Sequence, residues 1–367
     1  MNLSRRAFAR VIGAGAAAAV LPPLVSVKPL FAATAPTNAP VRLSSNENPY
    51  GPSAAALDAM RDAFARVWRY PDESQNALIE AIAKSHAVSR DQVLLGDGSS
   101  EILKLAAVSF TGPSRKLVMA EPTFEAIGAY AKTAGAEVVS IPLDPSYGHD
   151  AAKMGGTAGA GLLYICNPNN PTGSITPRDT MRALISSAPP ATAILVDEAY
   201  HHYASSSDYE SVIPAIASRP NLIVARTFSK IFGMAGLRCG YAVSSRETIR
   251  TLAAQQAWDS INVMALAAAL ASVGDTRHVA EGHKRNGETK ATVVASLKKL
   301  GYAIIPSETN FIMIDVRRDV RPLISRMRTR GVHVGRLFPA MPHHMRVTIG
   351  KPEQMEAFMR AFSEVVA

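Results

Sequence analysis

Lys230 sits in TFSKIFGMAGLR, residues 227–238, among small and apolar residues with only one other cation in the stretch, Arg238. A lysine in that setting is a candidate amine nucleophile, because an apolar surround disfavours its charged form and leaves a free lone pair. Thr227, Ser229 and Arg238 add two hydroxyls and a guanidinium, a donor set suited to a phosphate. In LLGDGSSEILKLA, Gly98, Ser99 and Ser100 follow an apolar run and open a helical pattern. Their backbone N–H groups and the helix N-terminus could serve the same anion. NPNNPTG places Asn170 in a proline-fixed loop, and VDEAY ends an apolar run with Asp197 and Tyr200. Alone, each has a plain structural reading: a Gly-Ser turn, a helix cap, a core aromatic. Together they put four polar clusters at the ends of apolar runs, and together they suit an aldehyde-bearing phosphorylated pyridine: amine for aldehyde, donors for phosphate, Asn and Tyr for a phenolic oxygen, carboxylate for a ring nitrogen.

The elements that position these groups are readable from about residue 90. KLVMAEP, EVVSIPL, GLLYICNP, AILVDEAY, NLIVARTF and CGYAVSS are candidate strands, and EAIGAYAKTA and TPRDTMRALISS are helix-length stretches between them. Near-continuous apolar strands alternating with helices predict an α/β fold with a parallel sheet covered on both faces. Sites in such sheets gather at the carboxyl ends of strands, which is where the polar clusters fall. An Ala-rich helical region spans roughly 246–273. Beyond it, SLKKLGYAIIPSETNFIMIDV, ISRMRTRGVHVGRLF and HMRVTIG with a final helix predict a smaller mixed domain. The expected division is a signal segment 1–35, an arm 36–66, a large domain 67–260 and a small domain 261–367.

With 47% hydrophobic and 19% charged residues in 367, the chain has the material for a large core and is neither disordered nor fibrous. Cys166 and Cys239 lie in strand-like contexts and are expected to be reduced and buried. Residues 1–35 carry Arg5 and Arg6, an apolar run from 11 to 25 and a small-residue end, the form of a twin-arginine export signal. The run is too short for the roughly 30 Å hydrocarbon layer. The predicted localisation is periplasmic, or cytoplasmic if the signal is not used. That segment holds four basic residues and no acidic one, so the formal charge of +9 falls to +5 without it. No basic run interleaved with aromatics is present, so nucleic acid is not an expected partner. His201–His202 and His343–His344 have no acidic or cysteine partner at ligand spacing, and no metal site is expected.

NENPYG, RYPD, GDGSSE, NPNNPTG, VDEAY, SK with Arg eight residues on, and RVTIG together resemble the fold-type I, pyridoxal-phosphate-dependent aminotransferases of class I/II, most nearly the histidinol-phosphate aminotransferase branch. The resemblance covers about residues 40–365. It implies a mostly parallel seven-stranded sheet between helices, a smaller α+β domain, pyridoxal 5'-phosphate as cofactor, and amino transfer to a 2-oxo acid such as 2-oxoglutarate from histidinol phosphate or an aromatic amino acid. It implies Lys230 as the amine that joins the cofactor and shuttles the proton, Asp197 on the pyridine nitrogen, and Asn170 and Tyr200 on the phenolic oxygen. It places Phe124 on the pyridine face, Gly98, Ser99, Ser100, Thr227, Ser229 and Arg238 around the phosphate, and Tyr70 reaching the partner's phosphate in a homodimer. Arg346 would hold the substrate carboxylate, and Tyr50, Asn48 and Arg336 the substrate's remainder. The chain departs from the pattern at Gly335, where the family has arginine, with Arg336 one place later. In a strand, that shift turns the side chain to the other face unless a bulge restores it. A threonine-phosphate-type decarboxylase shares the fold and lysine motif and is the alternative. A binding protein without turnover is the remaining one.

Overall fold

Residues 39–366 are described by the computed structural model; the expected signal segment, 1–35, lies outside them. Strand β1 (Val41–Arg42) begins the arm, and helices Ala54–Ala63 and Asp72–Ser85 follow. The strands of the main layer are then β2 (Val93–Gly96), β3 (Lys116–Glu121), β4 (Val138–Pro142), β5 (Ala160–Cys166), β6 (Ala193–Asp197), β7 (Leu222–Thr227) and β8 (Gly240–Val243). They form one seven-stranded sheet in the order β2-β8-β7-β6-β5-β3-β4. All neighbours run parallel except β8, which is antiparallel to both β2 and β7. The sheet is therefore mixed and mostly parallel, as expected. The chain from β7 to β8, which carries Lys230 and Arg238, contains only the short turn of helix Ala235–Leu237 and no crossover α-helix, so β8 returns antiparallel to β7.

Strand residues alternate between two cores. Leu162, Tyr164 and Cys166 face one with Ile102, Leu105 and Ile127, whereas Leu163 and Ile165 face the other with Leu78, Ile82 and Leu266. Burial on both faces explains why these strands read as unbroken apolar runs, and each such side chain contributes about 1.5–3 kcal/mol. The Ala-rich region is two helices, Arg246–Ala253 and Val263–Val273, with the charged and polar segment QQAWDSIN between them. Ala265, Leu266, Ala268 and Ala269 of the second helix pack into the core of the main sheet.

A 24-residue helix, Thr276–Lys299, leads to the smaller layer, where β9 (Ala303–Ile305), β10 (Phe311–Asp315) and β12 (His344–Thr348) form an antiparallel sheet in the order β12-β10-β9. Helices Val320–Thr329 and Pro352–Val366 cover it. The arm joins this layer: β1 pairs in parallel with β11 (Val332–His333), and Leu43 enters the small core.

Beside Asp197 in the chain, Glu198 takes the other direction and is fully buried. It accepts two bonds from Arg226 (3.0 and 2.7 Å), one from Ser211 (2.9 Å) and one from the Val212 amide (2.8 Å). The complete set of partners is what allows a charge pair inside the core, and it anchors the end of β6 that presents Asp197. His201 packs on Tyr209 and His202 on Phe232. Cys166 and Cys239 are free thiols and buried, as expected.

Candidate active site

The carboxyl ends of β5, β6 and β7 converge with the arm and with β12. Asp197 closes β6 at 3% exposure. Its carboxylate accepts a bond from Tyr164 Oη at 3.1 Å and one from the Ala199 amide at 3.1 Å. Burial pushes its pKa up to about 6, against the restraint of those two bonds. A carboxylate so placed gains from a cationic or N–H partner. Lys230 lies just beyond β7, where its Nζ donates to the Asn46 carbonyl at 3.3 Å and stands 5.4 Å from the centre of the Tyr200 ring. Burial, reinforced by the Arg346 guanidinium, lowers its pKa to about 8. The amine is thus largely neutral at mildly alkaline pH, which a nucleophile requires.

Tyr200 is buried edge-on to Phe311, and its hydroxyl accepts from Asn46 Nδ2 at 3.0 Å. Burial raises its pKa, so it stays protonated. Asn170 accepts from Arg346 Nη1 at 2.7 Å, while Arg346 Nη2 donates to the Ser44 carbonyl at 2.8 Å. Arg346 is itself buried, and its Nε has no partner. Burial draws its pKa down to about 10, and no carboxylate lies within ion-pair reach among the described residues. A desolvated guanidinium with a spare N–H is a receptor for a planar anion.

The anion cradle forms where the β7–β8 loop meets the helix Ser99–Phe110. Thr227 Oγ1 donates to Ser229 Oγ at 2.9 Å, and Arg238 Nη1 donates to the same oxygen at 3.3 Å. Arg238 is held in the left-handed region (φ 61°) and finds no carboxylate partner among the described residues. Gly98, the residue before the helix, has φ 73°, and a Cβ there would strike the Arg238 guanidinium. Only glycine lets that cation come up against the helix N-terminus, where Ser99 and Ser100 present their N–H groups.

The remaining expected residues are more dispersed. Phe124 is part-buried and packs against the core beside the helix Ala126–Thr133. Asn48 binds the Ile231 carbonyl at 2.7 Å, which ties the arm to the lysine loop. Tyr50 lies against two cations, Arg285 at 4.9 Å and Lys351 at 5.6 Å. Tyr70 is 81% exposed and far from burial of any kind. Arg336 is not in a strand, since β11 ends at His333, so face alternation does not govern it. The Gly335 amide donates to the Arg346 carbonyl at 2.8 Å, and a Cβ on Gly335 would lie 2.9 Å from that oxygen. An arginine in place of Gly335 would collide with Arg346. Arg336 instead lies over Phe338 and binds Glu125 at 2.6 Å. It nonetheless lines the same cleft as Arg346, about 640 Å³ in volume, with Arg321, Arg328 and His333.

Three contributors escaped sequence reasoning. Asn46, inside the quoted NENPYG, bridges Lys230, Tyr200 and, through Asn310 Nδ2, the small layer. Tyr164 was legible as an aromatic with a polar tip in an aliphatic strand, which demands a buried partner. Glu125 carried no signal in the sequence, because its partner is 211 positions away.

Residues 39–362 match the family described as aminotransferase class I and II. The chain is 36% identical over 332 residues to the histidinol-phosphate aminotransferase of Moorella thermoacetica, covering 89% of this chain and 86% of that protein. It is 38% identical over 324 residues to that of Symbiobacterium thermophilum, covering 88% and 89%. The histidinol-phosphate aminotransferase of Sinorhizobium meliloti, solved in complex with pyridoxal-5'-phosphate, superposes with a TM-score of 0.84 at 26% identity, covering 90% of each chain. The residues here fit that cofactor: an anion cradle with an unpaired guanidinium, a buried carboxylate of raised pKa and a lysine of lowered pKa. By sequence and by fold, this chain belongs to the class I and II aminotransferases, within the histidinol-phosphate aminotransferase family, and uses pyridoxal 5'-phosphate.

Proposed function

We propose that the protein moves the amino group of histidinol phosphate to a 2-oxo acid such as 2-oxoglutarate. The observation that carries this reading is the cleft in which buried, partly unpartnered Arg346 opens beside Arg336, Arg328 and His333, a setting for substrates with an anionic end. When bound, the cofactor supplies an aldehyde that accepts the amino group and a pyridine ring that withdraws electrons from the reacting carbon. Arg238, Ser229 and Thr227, with the N–H groups of Ser99 and Ser100, hold its phosphate. Asp197 would keep a proton on its ring nitrogen, Phe124 would cover its face, and Tyr200 and Asn170 would bind its phenolic oxygen. Asn170 then serves twice, since its Oδ1 also fixes Arg346. Lys230 Nζ takes the proton from the donor's reacting carbon and returns it on the other side of the transfer. Arg346 would take the carboxylate of the 2-oxo acid in bidentate form, and Tyr50, Asn48 and Arg336 are the residues proposed to meet the rest of the substrate. The test is direct: histidinol phosphate with 2-oxoglutarate yields glutamate without release of carbon dioxide. Histidinol phosphate has no carboxylate to lose, so the decarboxylase reading is tested separately: carbon dioxide released from threonine phosphate, with no glutamate formed from histidinol phosphate, would favour it.

The lysine's lowered pKa gives a pH expectation. Below about 8, Nζ is protonated and cannot attack, so capture of added cofactor by the apoprotein rises about tenfold from pH 7 to pH 9. Stopped-flow absorbance follows this, and a flat profile would remove Lys230 as the titrating group.

We also propose a homodimer in which Tyr70 completes the partner's cofactor site. Phe64, Val67, Trp68 and Tyr70 are all exposed within seven residues of chain, and Trp258 is 94% exposed; large exposed side chains of this kind mark interaction surfaces. Sedimentation equilibrium reads the mass. Export by the twin-arginine route to the periplasm is the reading of residues 1–35, and replacing Arg5 and Arg6 with lysine should retain the protein in the cytoplasm.

A further inference from the structure

The cation expected to meet the substrate's far end is already engaged. Arg336 binds Glu125 at 2.6 Å. Glu125 precedes the helix Ala126–Thr133 on the main layer, one residue after Phe124, whereas Arg336 follows β11 on the small layer, so the pair spans the two halves. It stands between two clefts. Arg336 lines the one of about 640 Å³ that contains Arg346, and Glu125 lines one of about 420 Å³ with Thr123 and Phe338. Phe338 ties the set together: the Arg336 and Arg346 guanidiniums lie 4.5 and 4.9 Å from the centre of its ring. Two cations at one aromatic ring, one of them satisfied by a carboxylate, is the arrangement expected if that carboxylate occupies the place of a ligand anion.

We propose that Glu125 is a specificity-determining residue that acts through Arg336: its carboxylate occupies the guanidinium that a donor's distal anion needs, and such a donor must displace it. This rests on the amino-transfer reading above. A donor with a neutral side chain makes no demand on Arg336 and leaves the pair closed. A donor ending in a phosphate displaces Glu125 and meets repulsion from it until it does so. The pair is half-exposed on both sides, so the competition is one of modest energies that substrate binding can overcome. Glu125 thus lowers the preference for anionic donors relative to neutral ones, and the protein accepts a wider range of donors than a permanently open Arg336 would allow.

Glu125→Gln tests this, because the amide keeps the shape and an acceptor oxygen while removing the charge. The first readout is the thermal stabilisation of the holoenzyme by inorganic phosphate, which requires no turnover. The dissociation constant derived from it is expected to fall about three- to fivefold in the variant, the range that an exposed ion pair sets. The second is kinetic: the ratio of kcat/KM for histidinol phosphate to that for phenylalanine rises by a similar factor, carried by KM. Both differences should shrink toward 1 M salt, where screening acts over about 3 Å, and both should vanish in an Arg336→Gln background. An unchanged phosphate affinity would overturn the proposal. So would equal loss of kcat/KM for both donors with a lower Tm, which marks the pair as a brace between the layers. If histidinol phosphate proves not to be a donor, the substrate reading fails while the phosphate titration still decides the role of Glu125.

Discussion

Replacing Lys230 with alanine is expected to lower transamination by about 10⁴-fold or more, with the fold retained. The size follows from two losses in one side chain. In the proposed reaction the amine that would capture the aldehyde is gone, and so is the base that would carry the proton, a contribution of about 10²–10⁴ by itself. Among the described residues Nζ makes a single hydrogen bond, to the Asn46 carbonyl, and its charged form is disfavoured by burial and by Arg346. Removing it therefore breaks no network, and stability should hold or rise slightly. Single-turnover kinetics with the aldehyde form of the cofactor, alongside a thermal melt, checks both halves. Residual activity within tenfold of wild type would mean that another group moves the proton.

Asp197→Asn is expected to cost about 10²–10³-fold in turnover, the usual loss when one preorganised electrostatic partner is removed from a water-excluded site. The carboxylate is 3% exposed with its pKa raised to about 6, so its charge is maintained at some cost and answers readily to a proton on the ring nitrogen it faces. Asparagine preserves volume and the bond from the Ala199 amide but carries no charge to hold that proton. Tyr164 Oη donates to the other carboxylate oxygen at 3.1 Å, which the variant replaces with an NH2; the hydroxyl can accept from that group in place of donating, so the melting temperature should change little. A fall in kcat with KM for the 2-oxo acid nearly unmoved would match the account. A fall in KM selectivity alone would place Asp197 at the substrate.

Residues that end an apolar strand were legible in the sequence, because a polar side chain at that point has few structural uses. Asp197, the loop of Asn170 and the Thr227–Lys230 turn all follow this rule, and the structure gathers them at one edge. Arg238 was legible by its spacing from Lys230. Less could be read where the partner is remote. Asn46 meets Tyr200 across 154 positions and Arg336 meets Glu125 across 211, and no local pattern encodes such a pair. The direction of β8 was also hidden: its apolar run looks like its neighbours', and the connection before it, 228–239, is long enough for either direction. Strand alternation does not reach Gly335, because β11 ends two residues earlier. The glycine is there for the close approach of Arg346.

The measurement that bears most directly on the whole account is the absorbance spectrum of the purified protein with added pyridoxal 5'-phosphate, titrated with histidinol phosphate. The account predicts the visible band of lysine-bound cofactor in wild type, its absence in Lys230→Ala, and its conversion by histidinol phosphate to the shorter-wavelength band of the amine form. A wild-type protein that takes up no cofactor, or a bound band that histidinol phosphate leaves untouched while another amine donor shifts it, would contradict it: the first denies the site, the second the substrate.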